Sequence, residues 1–385
     1  MSLAARINAD SPEVVSMPVA ASFTMRRVEP ASWDAAIVGF DEVCQEQLAV
    51  FAATRWPGVQ LEPMVFTEGG EVVGGCLVMV QPLPFGLGAI AVSKWAPMLA
   101  RANRPDALLI YSRMIDLLVQ EYAERRRMML SILPSAAAGV GNPRFEHLSG
   151  RGFKAGATLL FPNRYLVNLR LSDEEQRRSF HQKWRYHLSR ASGAELTFEH
   201  AEAARLPEFE ALYAQMVDRK RFPDHSAYQT VQALMQIGDP ALRPELFLVG
   251  HQGKVVAGAI IFKAGDRAVY LYGATSAAAL ELRAGYWLHW HIIRWLRDNT
   301  RARWYDLGGT DGFQGLHQFK KGMVGDRGLI TPVPPVANYA HHPWPRLIGE
   351  AAFAGRELAH RLNRVVDRLR PDRAKPDQKR QGGIA

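Results

Sequence analysis

Two cysteines, Cys44 and Cys76, are all that 385 residues contain. That is too few for a disulfide framework or a cysteine zinc site, and a reducing cytoplasm is the simplest home. No window offers 18 uncharged apolar residues, so no membrane-spanning helix is expected. The first 21 residues lack a charged segment followed by an unbroken apolar core, so no signal peptide is expected. There is no phosphate-binding P-loop, dinucleotide glycine fingerprint or nucleophile motif; Gly86-Leu87-Gly88 is a lone Gly-x-Gly. His289 and His291 lie two apart in a helical pattern and point away from each other, and His341-His342 precede a proline, so no metal site is expected.

What is present is ordinary globular material in excess of one domain. The chain is 48% hydrophobic and 22% charged, enough for two cores. Its 47 Lys and Arg outnumber 38 Asp and Glu, giving a net charge of +9 that favours nucleic acid, phosphorylated substrates or an anionic membrane surface.

Periodicity sets out the elements. Residues 1–21 read as a loose leader. Strand patterns cover Phe23–Val28, Met64–Phe66, Val72–Val80, Ala89–Trp95, Met128–Leu133 and Tyr165–Leu169. Helical patterns cover Trp33–Phe40, Glu42–Thr54 and Pro105–Arg126. Ser172 with Glu175 forms a capping box opening a helix to about Arg190. Then come a strand at Glu195–Glu199, helices at Leu206–Lys220 and Tyr228–Ile237, and a meander of Leu246–Val249, Val255–Lys263 and Ala268–Ala274. Gly285–Asp298 is a helix apolar on every side, hence buried. Gly70–Val78 resembles Gly253–Ile261 in residues and context, which predicts duplication of one α+β unit. The expected domains are 22–168 and 169–340, followed by 341–385. In this last part Arg346–Arg370 forms an amphipathic helix with an arginine face, and 371–385 is a disordered basic tail. Such a helix either packs on its own protein or lies on an anionic membrane.

The chemistry concentrates in WYDLGGTDGFQGLHQFKKG, Trp304 to Gly322. Trp304–Leu307 reads as a short buried strand. Gly308, Gly309, Gly312 and Gly315 allow turning and close backbone approach. Leu316–Lys321 reads as a turn or two of helix stopped by Gly322. Strand, glycine loop and fixed cation suit an anionic or polarised group; the plain alternative is a connection with a solvated lysine pair.

Tyr305-Asp306-Leu307-Gly308-Gly309 followed by Phe319-Lys320-Lys321-Gly322 resembles the end of the second domain in the Fem family. These are aminoacyl-tRNA-dependent transferases that add amino acids to peptidoglycan precursors. The run Tyr270-Leu271-Tyr272-Gly273-Ala274-Thr275-Ser276 and the basic stretch Lys183-Trp184-Arg185 to Gly193 agree with it. The similarity is good from Ser172 to Gly322 and weak before. It implies an α+β fold of two tandem GNAT-like (acyl-CoA N-acyltransferase-like) units. It also implies transfer from aminoacyl-tRNA, without a further cofactor, to the peptide amine of a UDP-linked or lipid-linked muropeptide.

By resemblance Lys320 is the catalytic cation that meets the oxyanion as the ester is attacked, with Lys321 less favoured. A lysine head at a cleft would contribute little to the core. Phe319, Tyr272, Asp306, Gly308 and Gly309 contact substrate. Arg219 or Arg221 meets the precursor's phosphates, and Arg55 is the nearest first-domain cation. The family's Asp-Pro after the late first-domain strand is replaced by Ile132-Leu133-Pro134. Ser276–Trp287 lacks the pyrophosphate-cradling spacing of coenzyme-A users, which disfavours an acyl-CoA-dependent N-acyltransferase. A non-catalytic module binding RNA or membrane is the third possibility.

Overall fold

The computed structural model describes residues 22–220, 227–310 and 312–355. The strands are β1 (Phe23–Arg27), β2 (Gln60–Glu68), β3 (Glu71–Pro82), β4 (Ala89–Lys94), β5 (Met98–Leu99), β6 (Met129–Leu133), β7 (Lys154–Ala155), β8 (Asn163–Asn168), β9 (Thr197–Ala201), β10 (Glu245–His251), β11 (Lys254–Phe262), β12 (Arg267–Thr275), β13 (Trp304–Asp306), β14 (Leu329–Pro332) and β15 (Ala337–Tyr339). The helices are α1 (Pro30–Ile37), α2 (Ala49–Arg55), α3 (Ala107–Leu118), α4 (Pro143–Gly150), α5 (Asp173–Ser179), α6 (Gln182–Ser192), α7 (Leu206–Lys220), α8 (Val231–Met235), α9 (Ala277–Glu281), α10 (Ala284–Asn299) and α11 (Gln314–Val324).

Two mixed sheets result. The first runs β1-β2-β3-β4-β6-β15-β7 with β5 against β3; the second runs β9-β10-β11-β12-β13-β8-β14. The orders correspond strand for strand. Each begins with four antiparallel strands, pairs its fourth and fifth in parallel, and ends with antiparallel neighbours. The repeated segment falls on the same hairpin of each sheet, β2–β3 and β10–β11. Both hairpins slip register at the same point, leaving Val73 and Val256 unpaired three residues after Gly70 and Gly253. Those glycines sit at φ +91° and +75°, a turn conformation that disfavours a side chain.

The sheets exchange a strand. β8 follows β7 in the chain but pairs with β13 and β14; β15 follows β14 but pairs with β6 and β7. The expected boundary at 168/169, which left Tyr165–Asn168 with the first unit and kept residues up to 340 with the second, cuts across this exchange. Alternation identifies a strand but not its neighbour. The two crossing segments bond to each other: Gly156 N–H donates to the Val336 carbonyl at 2.7 Å and Val336 N–H to the Ala157 carbonyl at 2.9 Å.

Several helices are shorter than periodicity predicts. Glu42–Thr54 divides into a 3-10 turn at Gln45–Gln47 and α2. Buried Gln47 clamps that turn to the sheet, donating to the Lys94 carbonyl at 2.6 Å and accepting from Leu77 N–H at 2.8 Å. The capping box at Ser172 is present, but Phe180 at ψ 147° breaks the helix into α5 and α6. α11 runs through Gly322, where a glycine lets Trp184 approach, and ends at Gly325 instead. The helical residues 343–355 pack through Gly349, Ala352 and Phe353 near Met129, leaving Leu347 62% exposed and Ala351 and Ala354 outward. The predicted apolar stripe is thus turned away from the sheet. The rest of that helix, the leader and the tail lie outside the described residues.

One core joins α1 and α2 of the first sheet to Leu234, Phe262 and Val269 of the second half. Gly325 closes α11 at φ +63°, and an added Cβ would stand 2.0 Å from the Ser179 carbonyl oxygen. Gly325→Ala is therefore expected to destabilise by at least about 2 kcal/mol through strain and displacement of α5. Chemical denaturation of both proteins measures it, and a loss under about 0.5 kcal/mol contradicts the assignment.

Candidate active site

β12 and β13 pair only where Arg267–Val269 meets Trp304–Asp306. Beyond Asp306 the chain leaves the sheet as the glycine loop and returns as α11. Lys320 on α11 is 5% exposed. Its ammonium donates to the Leu307 carbonyl at 2.5 Å and to the Gly309 carbonyl, and lies 5.8 Å from the Tyr270 ring centre. Lys320 therefore ties the loop down from beneath. This corrects the expectation of a cleft lysine with little part in the core. Burial and the Lys320 charge push His289 down to about 3, so its imidazole is neutral beside the Tyr305 hydroxyl at 3.1 Å.

The loop's polar groups are also engaged. Gly308 N–H donates to Asp306 Oδ1 at 2.9 Å, and Gly308 sits at φ +73°. Asp306 is 2% exposed and bound by Arg164, whose Nε reaches Oδ1 at 3.0 Å and Oδ2 at 3.1 Å. Arg267 lies 3.8 Å from the same carboxylate and donates to the Ala136 carbonyl at 2.9 Å. Burial alone would raise the Asp306 carboxyl; Arg164 and Arg267 outweigh it and hold it below the ordinary range. The arginines of this cluster were not foreseen. Arg164 sits on the exchanged strand, so nothing in the sequence announces its partner.

The other predicted residues divide between two places. A register shift at Ile260/Ile261 leaves Leu271 unpaired, so Tyr270 and Tyr272 belong to opposite faces of β12. Tyr270 packs with His289, 5.0 Å between ring centres. Tyr272 instead joins Tyr213 and Tyr228 in the α7–α8 layer, 7% exposed, with its hydroxyl 3.4 Å from Thr230 Oγ1. Burial pushes that hydroxyl up to about 12, with Arg55 pulling the other way, which places Arg55 in its field. Arg219 donates to the Thr275 carbonyl at 2.6 Å, near the end of the same strand. Arg221 lies outside the described residues. Tyr272, Arg55 and Arg219 thus gather on one side, and Asp306, Gly308, Gly309 and Lys320 on another.

Phe319 belongs to a third feature. A groove of about 520 Å³ runs between α6, the start of α10 and α11, lined by Lys183, Trp184, Tyr286, His317, Phe319 and Lys321 among others. Trp184, Tyr286 and Phe319 form a contiguous aromatic wall, with ring centres 5.2 and 4.9 Å apart. The field is positive: burial lowers the His187 pKa, and Arg283, Lys183 and Arg190 lower it further. A separate cavity of about 380 Å³ lies in the seam between the sheets, lined by Asp306, Arg164 and Arg267 from one side and the Asp41–Glu46 segment from the other. Among the described residues no three His, Cys, Asp or Glu side chains gather as a metal site.

Over residues 175–321 the sequence matches the family described as an acetyltransferase (GNAT) domain. No curated protein matches the chain at the sequence level. Among solved structures, FemX overlays with a TM-score of 0.67 at 18% identity, covering 82% of this chain and 97% of that one. The C-terminal domain of a putative lysylphosphatidylglycerol synthetase from Agrobacterium fabrum gives 0.52 at 14% identity, covering 84% and 96%. L-PGS from Bacillus licheniformis gives 0.51 at 11%, covering 84% and 96%. The family match and these overlays establish the expected fold, two acyltransferase-type sheets in tandem.

Asp306→Asn leaves Arg164 and Arg267 buried without their countercharge and is expected to cost about 3–5 kcal/mol. The Asp306 carboxyl is depressed in the folded state, so its contribution is present above the unfolded value of about 3.9 and is lost as pH falls through the folded value. Denaturation curves from pH 7 to about pH 2 should show wild type beginning to lose part of its advantage below about pH 3.9, while Asp306→Asn has no such loss. Parallel curves for the two proteins refute the assignment.

Proposed function

We propose that the protein is an aminoacyltransferase that takes an amino acid from aminoacyl-tRNA and places it on a peptide amine of a peptidoglycan precursor. The observation that carries this reading is the basic, aromatic groove of α6, α10 and α11 beside the Lys320-held loop. Rings that stack on bases and cations that meet phosphates are what a single-stranded nucleic-acid end requires. Lys183 and Lys321 supply cations; the half-buried Tyr286 and Phe319 supply rings, with buried Trp184 behind them. The overlay with FemX supports the same reading, and the net charge of +9 suits both tRNA and a phosphorylated acceptor.

The groove argues against the acyl-CoA alternative. In that chemistry the start of α10 would cradle a pyrophosphate. Here Phe319 lies 4.0 Å from the position of a Cβ on Gly285, and Tyr286 and Trp184 continue the cover. Arg283, just before α10, holds φ +57° without a side-chain cap to the helix.

Transfer from an ester asks for position and charge stabilisation more than for covalent help, because the donor is already activated. Lys320 is the assigned cation. Held by two carbonyls, it shapes the 307–309 loop and fixes a positive charge beneath it. Tyr272, Arg55 and Arg219 form the side for the acceptor's phosphates, where guanidinium offers a bidentate fork. The location proposed is cytoplasmic. Peripheral membrane contact would come through the outward stripe carrying Leu347, an idea that flotation with anionic against neutral vesicles at low salt decides.

The decisive experiment supplies labelled aminoacyl-tRNA pools and, separately, labelled acyl-CoA, with muropeptide and lipid acceptors, followed by product mass. Transfer from tRNA to a muropeptide is expected; product from acyl-CoA alone overturns the reading. Lys320→Met should lower turnover on the order of a hundredfold or more. It should also cost about 1.5–3 kcal/mol of stability, since two buried carbonyls lose a charged donor. Lys321→Met should leave turnover near normal while weakening tRNA binding and reducing its salt slope by about one. Filter binding across salt concentrations and steady-state rates check both variants.

A further inference from the structure

The seam cavity contains a carboxylate without an ion-pair partner. Of the acids lining it, Asp41 pairs with Arg101 and Arg301, Glu42 with Arg144, Asp266 with Arg303, and Asp306 with Arg164. Glu46 has no ion pair within 4 Å among the described residues, and the Trp95 side chain lies beside it. A half-buried carboxylate that lines a cavity with no ion pair of its own is a place for a cation to settle. Enclosure raises its pKa, with Arg164 and Lys94 drawing it back.

The surroundings hold Glu46 in place. The 3-10 turn that bears it is clamped to β3 and β4 by Gln47. Its neighbour Trp95 stands at φ +56°, a backbone conformation unfavourable to a bulky residue, and Arg164 lies over that ring at 5.5 Å. Gln45, on the same turn and also lining the cavity, is 6% exposed, and its amide oxygen has no hydrogen-bond partner. An unpaired acid and an unpaired acceptor therefore meet in one space of about 380 Å³. Both are groups that receive N–H donors.

We infer that this cavity binds a primary ammonium group, with Glu46 as its countercharge and the Gln45 amide oxygen as a second acceptor. The cavity's opposite wall is Asp306, which also holds Gly308 N–H, so an amine seated here lies against the base of the Lys320-held loop. Its identification as the acceptor amine rests on the aminoacyltransfer reading; the ammonium site itself does not. Glu46 is a positioning residue in this scheme.

The test is calorimetry on the full chain with two probes, Nα-acetyl-L-lysyl-D-alanyl-D-alanine and the same peptide acetylated on its side-chain nitrogen. Wild type is expected to bind the free amine at least about tenfold tighter, and Glu46→Gln to abolish that preference. Equal binding of the two probes by wild type, binding of neither, or a preference that survives in Glu46→Gln overturns the inference. If Glu46→Gln does not fold, the wild-type comparison decides alone. An amine preference in a protein that transfers nothing from aminoacyl-tRNA retires only the reaction, and transfer without an amine preference retires only this site.

Discussion

The buried ion pair between Arg164 and Asp306 is the interaction on which the arrangement turns. Arg164 lies on the strand that crosses from the first half of the chain, and Asp306 on the fifth strand of the sheet it enters. The pair locks the exchanged strand into register. Arg267 extends it across the seam to the Ala136 carbonyl, and the Asp306 carboxylate continues it to Gly308. Sheet pairing, the contact between halves and the glycine loop thus share one carboxylate. A buried pair of this kind is weak evidence of net stability, but removing one partner is severe. Its value lies in specifying one arrangement among similar ones.

Much of the fold was legible. Alternation and turn chemistry located the hairpins, the capping box located α5, and the α7 limits match the helical pattern from Leu206 to Lys220. The Gly70 and Gly253 segments pointed to two related sheets, and both occur with matched register slips. What was hidden is non-local. No residue near Tyr165 signals that its strand pairs with β13, and no spacing signals that β15 closes the first sheet. Helix breaks at Phe180 and Gln45–Gln47 arise from burial of neighbouring side chains, which outweighs periodicity.

The site was legible in part. The motif from Trp304 to Gly322 does form strand, loop and helix, and Phe319 does reach an open groove. Tyr270 and Tyr272 stand two apart on one strand, a spacing that normally puts both on one face. The unpaired Leu271 reverses that, and only cross-strand register reveals it. Lys320 was expected at a cleft, and the loop instead folds back over it and buries it. Glu46 and Gln45 carry no motif; their meaning comes from the enclosure around them.

The strand exchange bears on synthesis as well as structure. The first sheet obtains the strand between β6 and β7 only from Ala337–Tyr339. A ribosome must therefore carry the chain past that point before the amino-terminal half can close. Until then β6 and β7 face an open slot, and exposed strand edges are templates for wrong pairing. Domain-by-domain folding would leave the first sheet one strand short until β15 arrives. Its two halves mature together, and a fragment ending before β15 would present an unfinished sheet to the quality-control machinery of the cell.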